Sequence, residues 1–301
     1  MIINIGSLNI DYVYDVESFV RKGQTISSTA RSVFAGGKGL NQSIALGRAG
    51  ADVTHAGLVG DEGAFLRNLM LESGVDVSRI GTAEGHSSGH AIIQRDSEGD
   101  NCIILHGGAN RLIGAGLIDT TLLAFEPGDW VLLQNEISCV SNAIEGAHAR
   151  GMKVILNPSP VNQSLLDCPL DLVDCFILNE GEAAALTGLD GSPDQLIAGM
   201  CERFPQAEIV LTLGGDGSYY ARRGEEPVYQ RALSKEVVDT TAAGDTFTGY
   251  YLAERVAGST PARALLVAST ASAIAVSRAG AAPSIPLRRE VDAKLEEMGC
   301  A

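Results

Sequence analysis

Cysteine patterning, aromatic content, basic charge and long apolar runs are all in short supply in this chain. The six cysteines (Cys102, Cys139, Cys168, Cys175, Cys201 and Cys300) include no C-x-x-C pair, so neither a disulfide framework nor a zinc site is indicated. They read as reduced, small hydrophobic residues. Among five histidines the suggestive pair is His86 and His90. Metal ligands at that spacing need a helix, and the intervening Ser87-Ser88-Gly89 opposes one. Lys and Arg number 22 against 37 Asp and Glu, a formal charge of −15, and the densest basic stretches are the pairs Arg222-Arg223 and Arg288-Arg289. That balance repels nucleic acid and acidic membranes, so neither is expected as a partner. The most apolar stretch, "ALLVASTASAIAV" at 264–276, is shorter than the roughly 20 residues of a membrane span and reads as a buried helix. The opening "MIINIGSLNID" shows neither the charged region nor the cleavage site of a signal peptide, and the expected location is cytoplasmic.

What is present is alternation. Short apolar runs ("IINIGSL", "ADVTHAGLVG", "DWVLLQNE", "MKVILNPSP", "DCFILNE", "AEIVLTLGG") are separated in most cases by helix-period segments such as 40–49, 64–72, 138–150 and 194–204. Strands apolar on both faces, alternating with helices, predict an α/β fold with a mostly parallel sheet covered on both sides. Ligands in such sheets bind beyond the carboxyl ends of the strands. Polar residues collect at those ends: Asn9 and Asp11, Asn135 and Glu136, Asn157, Asn179 and Glu180, Thr212 and Gly214. Turn preference explains any one of them, but a shared binding crevice explains the set better.

Two segments, 12–34 and 87–106, alternate instead with period two, and "DSEGDN" suits a hairpin turn. They predict a small β-sheet lid inserted into a core made of 1–11, 35–86 and 107–301. A sheet outside the core must cover the crevice or pair with another copy, so homodimerisation through the lid is a second expectation.

The glycine-rich stretches divide sharply in meaning. "FAGGKGLNQ" is not a P-loop, because Lys38 is followed by Gly39 rather than the hydroxyl residue that holds magnesium. It offers backbone at Gly36 and Gly37, then Lys38 and Asn41, a set suited to vicinal sugar hydroxyls. "TLGGDGSYY" follows a strand but lacks the G-x-G-x-x-G dinucleotide spacing. "LNEGEAAALTG" puts Asn179, Glu180 and Glu182 at a helix start, where acidic residues suit either the helix dipole or a Mg²⁺ site. In "DTTAAGDTF" a helix beginning near Gly244 would aim its amides at an anion while Asp245 accepts a hydrogen bond from an attacking hydroxyl.

"GGKGLN" and "DTTAAGDTF" together resemble the two signature motifs of the ribokinase-like, PfkB-type carbohydrate kinases, and "SLNIDYV", "GGANRLI", "LNPSP", "LNEGEAAALTG" and "SRAGAAPSIP" match that family in order. The resemblance implies a three-layer α/β/α sandwich with a β-sheet lid, and transfer of the ATP γ-phosphoryl group to a primary hydroxyl of a small-molecule sugar. Ribose is the first expectation; another pentose, a ketohexose, a nucleoside, or a non-catalytic sugar sensor are the alternatives. Carried over by residue, Asp245 is the base and Ala242, Ala243 and Gly244 the anion hole. Sugar hydroxyls fall to Asn9, Asp11, Gly37, Lys38, Asn41, Glu136 and Asp245, and ATP to Asn179, Thr212, Gly214 and Gly217. Glu182 organises water around Mg²⁺, and K⁺ activation is implied by Asp239, Thr241, Ala275, Arg278, Gly280 and Ser284. His90 and Asn135 depart from the family's usual aliphatic residues, which puts the sugar in question.

Overall fold

In the computed structural model, which describes residues 1–98, 100–233 and 237–300, the apolar runs become the middle of a large sheet. The strands are β1 (Ile2–Ile5), β2 (Asn9–Asp15), β3 (Ala30–Gly36), β4 (Val53–Val59), β5 (Asp76–Thr82), β6 (Gly89–Arg95), β7 (Asn101–His106), β8 (Trp130–Gln134), β9 (Lys153–Asn157), β10 (Cys175–Asn179), β11 (Glu208–Thr212), β12 (Ser218–Arg222) and β13 (Val228–Gln230). The helices are α1 (Lys38–Arg48), α2 (Ala64–Glu72), α3 (Ala115–Leu122), α4 (Val140–Ala149), α5 (Gln163–Leu166), α6 (Glu180–Thr187), α7 (Pro193–Arg203), α8 (Ala243–Val256), α9 (Pro261–Val276) and α10 (Arg288–Glu297). The large sheet runs β13-β12-β11-β10-β9-β8-β1-β4-β5, parallel except for the antiparallel β12 and β13 at one edge.

Alternate residues of each central strand serve opposite cores. Ile2, Leu132, Ile155, Ile177 and Val210 pack with α1, α8 and α9, whereas Ile3, Val131, Val154, Phe176 and Ile209 pack with α3, α4 and α7. This two-sided burial is why the strands carry no polar alternation, and it gives three layers. Helix α8 is held by Phe247, Tyr250 and Tyr251, all buried, each worth roughly 2–3 kcal/mol. Its N-terminus is thereby fixed at the carboxyl end of the sheet.

The second sheet, ordered β3-β2-β6-β7, is built from both period-two segments. It begins at Asn9 and ends its second strand at Gly36, so Asn9 and Asp11 lie within β2 of this sheet rather than at the end of a core strand. The β6–β7 hairpin turns on Asp96, whose Oδ1 accepts from the N–H groups of Glu98 and Asp100; Gly99 of "DSEGDN" lies outside the described residues. Strands β5, β12 and β13 were not legible in the sequence. They flank the sheet, are partly exposed, and mix polar with apolar residues. Among the described residues no helix is long and apolar enough to cross a membrane.

Candidate active site

The backbone enters α8 through a left-handed residue. Ala242, the helix N-cap, has φ 58°, a conformation costing a non-glycine residue roughly 1–2 kcal/mol. The N–H of Ala243 closes a turn on Thr240 O at 3.2 Å. The amides of Gly244 and Asp245 sit in the first turn, where no intrahelical carbonyl serves them. A Cβ added at Gly244 would meet no protein atom within 4 Å, so this glycine faces open space.

Asp245 is gripped from the opposite side of the cleft by α1. Asn41 Nδ2 donates to its Oδ2 at 3.0 Å, and Gln42 Nε2 donates to its Oδ1 at 2.9 Å. The first turn of α1 also anchors a second carboxylate: Glu136 Oε2 accepts from the backbone N–H of Lys38 at 3.0 Å and from Ser7 Oγ at 2.5 Å. Gly37 at φ 94° makes this turn possible.

Asp11 completes the group. Burial, and then the charge of Glu136, raise its pKa from 3.8 to about 6. Among the described residues no side-chain or backbone donor hydrogen-bonds its carboxylate, which lies so close over Gly36 that a Cβ there would collide with it. Asn9 beside it is buried, and its Oδ1 accepts from Asn110 Nδ2 at 2.7 Å, while Asn110 Oδ1 accepts from the N–H of Leu8. Asn110 belongs to "GGANRLI" but was not anticipated as a site residue.

Two adjoining cavities open at the carboxyl ends of the strands. One, of about 260 Å³, is mainly apolar; Phe247, Ala273 and Val276 line it together with Thr212, Gly214 and Gly217. The other, of 220 Å³, is polar and includes Lys38, Asn157, Asn179, Glu182 and Asp245. Both touch Thr212, Thr240, Ala243 and Gly244, so the α8 terminus stands at their junction. Burial opposes the charge on Lys38, but Asp245, Glu136 and Glu182 together hold its ammonium pKa above the ordinary value. Gly217 adopts φ 119°, closed to other residues, and Gly214 faces the cavity, where an added Cβ would meet nothing within 4 Å.

The remaining expected residues are accounted for in different ways. Asn179 and Glu182 form a reciprocal capping box on α6, Asn179 Oδ1 accepting from Glu182 N–H and Glu182 Oε2 from Asn179 N–H. The helix-terminus role of these residues is thus realised, although both also border the polar cavity. Asp239 Oδ1 accepts from Thr241 N–H and Oγ1, and its Oδ2 accepts from Gly280 N–H. Partial burial works against its charge, but these hydrogen bonds prevail and lower its pKa. Three neutral donors thus hold Asp239 ionised. Arg278 turns its guanidinium to Glu290 at 2.6 Å, and its N–H donates to Ala275 O; Ser284 is buried and donates to Ala281 O. Among the described residues no cluster of three or more His, Cys, Asp or Glu forms a metal site.

A model of the pfkB family of carbohydrate kinases matches residues 1–288. The chain belongs to that family. This pfkB-family kinase is 33% identical over 293 residues to a ribokinase of Haemophilus influenzae, with 95% of each chain covered. It is 32% identical over 300 residues to one of Staphylococcus aureus, covering 97% of this chain and 98% of that one. A solved ribokinase of Cryptococcus neoformans in complex with ADP superimposes with a TM-score of 0.88 at 31% identity, covering 98% of this chain and 99% of that one. Arabidopsis thaliana ribokinase complexed with ribose and ATP gives 0.85 at 28% identity, with 98% of each covered.

The two departures from the family pattern have local explanations in this pfkB-family chain. Asn135 Nδ2 donates to Pro160 O at 2.6 Å and its N–H to Ser159 O, which ties the β8 end to the loop after β9. His90 lies against His106 in a tilted arrangement, ring centroids 4.8 Å apart, and meets the edge of Tyr12, on the face of the small sheet opposite Asn9 and Asp11. Several buried polar residues were missed altogether: Asn4, Gln42, His55 and Gln134. For Asn4, His55 and Gln134 the signal was a polar residue in an otherwise apolar strand, as in "IINI", "VTHAGLV" and "WVLLQ"; Gln42 lies on α1 and carried no such signal.

Proposed function

We propose that this chain is an ATP-dependent ribose kinase, transferring the γ-phosphoryl group to the primary hydroxyl of ribose to give ribose 5-phosphate. The observation that carries this reading is the convergence at one helix end. A fixed carboxylate, first-turn amides, an apolar chamber of nucleobase size and a polar cavity all meet at the start of α8. Asp245 accepts the hydrogen bond of the attacking hydroxyl, and the loose transition state asks little basicity of it until the new bond begins to form. The α8 amides around Ala242, Ala243 and Gly244 then stabilise charge on the migrating group.

Asp11 and Glu136, two carboxylates facing one another with Asn9, Gly37 and Asn41 nearby, suit a ligand that brings several O–H donors. Ribose does so, and its hydroxyls would relieve the unfavourable burial of Asp11. Lys38 borders the polar cavity with Asn179, Glu182 and Asp245, which suits the transferred phosphate, while Glu136 on the sugar side also helps hold its charge. The nucleotide lies over Asn179, Thr212, Gly214 and Gly217; the open space beyond Gly214 and Gly244 fits its close approach. Mg²⁺ carried on the phosphates would neutralise their charge, with the free Oε1 of Glu182 available to its water shell. A K⁺ ion would take main-chain carbonyls around Asp239, Thr241, Ala275, Arg278, Gly280 and Ser284, and equal activity in sodium, potassium and choline buffers would refute it.

The small sheet acts as the lid. Its outer face exposes Val33, Ile92 and Ile104, which supports a homodimer through this surface; a monomer in sedimentation at micromolar concentration would exclude it. Six free cysteines accord with a reducing, cytoplasmic location. The deciding experiment is an ADP-release screen over ribose, deoxyribose, fructose, other sugars and nucleosides. Turnover with another acceptor and none with ribose would overturn the assignment.

A further inference from the structure

Beneath α1 a chain of buried polar side chains crosses the sheet. Asn4 and His55 are register partners on β1 and β4, and Gln134 on β8 has the half-buried Asn157 as its register partner on β9. Gln42 and Ser43 come down onto them from the helix. The sheet has otherwise apolar residues at such positions, so this band is a conspicuous break in the core.

The direction of every hydrogen bond in the band is determined. The carbonyl of Gly39 can only accept, so Asn4 must present Nδ2 to it, at 2.9 Å, and to Ser43 Oγ, at 2.8 Å. Asn4 Oδ1 then faces Gln134, whose Nε2 donates to it at 3.1 Å and to Gln42 Oε1 at 2.7 Å. With its oxygen so engaged, Gln42 has only its Nε2 to offer Asp245. Ser43, accepting from Asn4, directs its own O–H to His55 Nδ1 at 2.8 Å, and His55 Nε2–H meets Gly6 O at 3.3 Å. The carboxylate at the far end is acceptor-only and demands the same polarity.

One atom records what this arrangement gives up. Gln134 Oε1 is buried with no hydrogen-bond partner, because both of its neighbours require the amide nitrogen. A leucine in its place would remove that unpaired oxygen but leave Asn4 Oδ1 and Gln42 Oε1 without their donor. Gln134 Nε2 is therefore the group that fixes which way the Gln42 amide faces.

We propose that Gln42 is a positioning residue for phosphoryl transfer, its amide locked by Gln134 and Asn4 so that the Asp245 carboxylate keeps one fixed rotation with its remaining lone pairs toward the acceptor hydroxyl. Asn41 holds the other carboxylate oxygen. Without both donors Asp245 can swing back onto the free amides of its own helix terminus, where it would cap α8 and occupy the place of the phosphoryl group. The inference rests on Asp245 being the base.

The test compares Gln42→Met, Gln134→Met and Asp245→Asn under steady-state conditions with ribose and ATP, alongside thermal melts. Gln42→Met should lower kcat by about 10- to 100-fold, the scale of a small misplacement of a reacting group, with both KM values within about threefold of the parent. Gln134→Met leaves Gln42 against Asp245 but unlocked, and should lower kcat in the same way by a smaller factor; it decides the matter if Gln42→Met fails to fold. A kcat within twofold of the parent in both variants, while Asp245→Asn is inactive, overturns the positioning role and leaves the base in place. A KM increase that matches the kcat loss also overturns it, as general loosening. Near-normal turnover by Asp245→Asn would instead overturn the reading beneath it.

Discussion

Asp11 should make the protein less stable at neutral pH than it would be with an amide in the same place. Its pKa, about 6 folded against 3.8 for an ordinary aspartate, means that ionisation is harder in the folded state. The raised value therefore contributes stability that is complete below pH 4 and is lost as pH rises through 6. The full displacement corresponds to about 3 kcal/mol at pH 7.5, falling to about 1 kcal/mol at pH 4.5. Asp11→Asn removes the charge with little change of shape. For 301 residues the unfolding entropy is roughly 0.6 kcal/mol/K, so the variant should melt up to about 5 °C higher at pH 7.5 and only about 2 °C higher at pH 4.5. Activity should move the other way. Loss of a charged hydrogen-bond acceptor for the sugar, worth about 1.5–3 kcal/mol, predicts a KM for ribose raised roughly 10- to 100-fold. Paired melts at the two pH values, without ligand, and steady-state kinetics at pH 7.5 would measure both. A variant that melts lower at pH 7.5, or whose KM for ribose is unchanged, would refute the reasoning.

Other consequences are independent of that one. His55, fully buried, has its pKa lowered by burial from 6.5 to about 4, so the folded state loses up to about 3 kcal/mol as pH falls from 6.5 to 4; a melt series on His55→Gln should lack that acid limb. Because Asp11 and His55 act in opposite directions over the same range, the parent should show a flatter acid profile than either variant. Gly217→Ala should cost at least about 2 kcal/mol in denaturant unfolding, since φ is 119° and the new Cβ would collide with Gln230 O. Gly244→Ala, by contrast, meets no protein atom; its melting temperature should stay within about 2 °C while kcat drops at least about tenfold, because the methyl enters the space at the helix terminus.

The layer order was legible because burial on both faces writes itself into local sequence. Strands such as "VILN" and "FILN" had to be apolar throughout, and their carboxyl ends had to point one way once helices lay between them. The edges were not legible: "DVSRIGT" pairs on one side only and tolerates solvent, so it resembles a loop in composition. Asn9 and Asp11 were recognised by type but assigned to the wrong sheet. Nothing within "LNIDYV" distinguishes the end of a core strand from the start of a small-sheet strand that pairs with 30–36 and 89–95.

By itself the sequence determined which residues have chemistry to offer: the glycine turn before Lys38, the helix start that carries Asp245, and the apolar strands that hold both at one end of a sheet. Tertiary structure alone decided what each can do with it. The raised pKa of Asp11 depends on burial and on Glu136, the grip on Asp245 on Asn41 and Gln42, and the direction of that grip on Gln134 and Asn4. The physical reason is range. Helix and strand propensity act over a few neighbours, whereas desolvation and hydrogen-bond direction are set by whichever groups the fold brings together from distant parts of the chain.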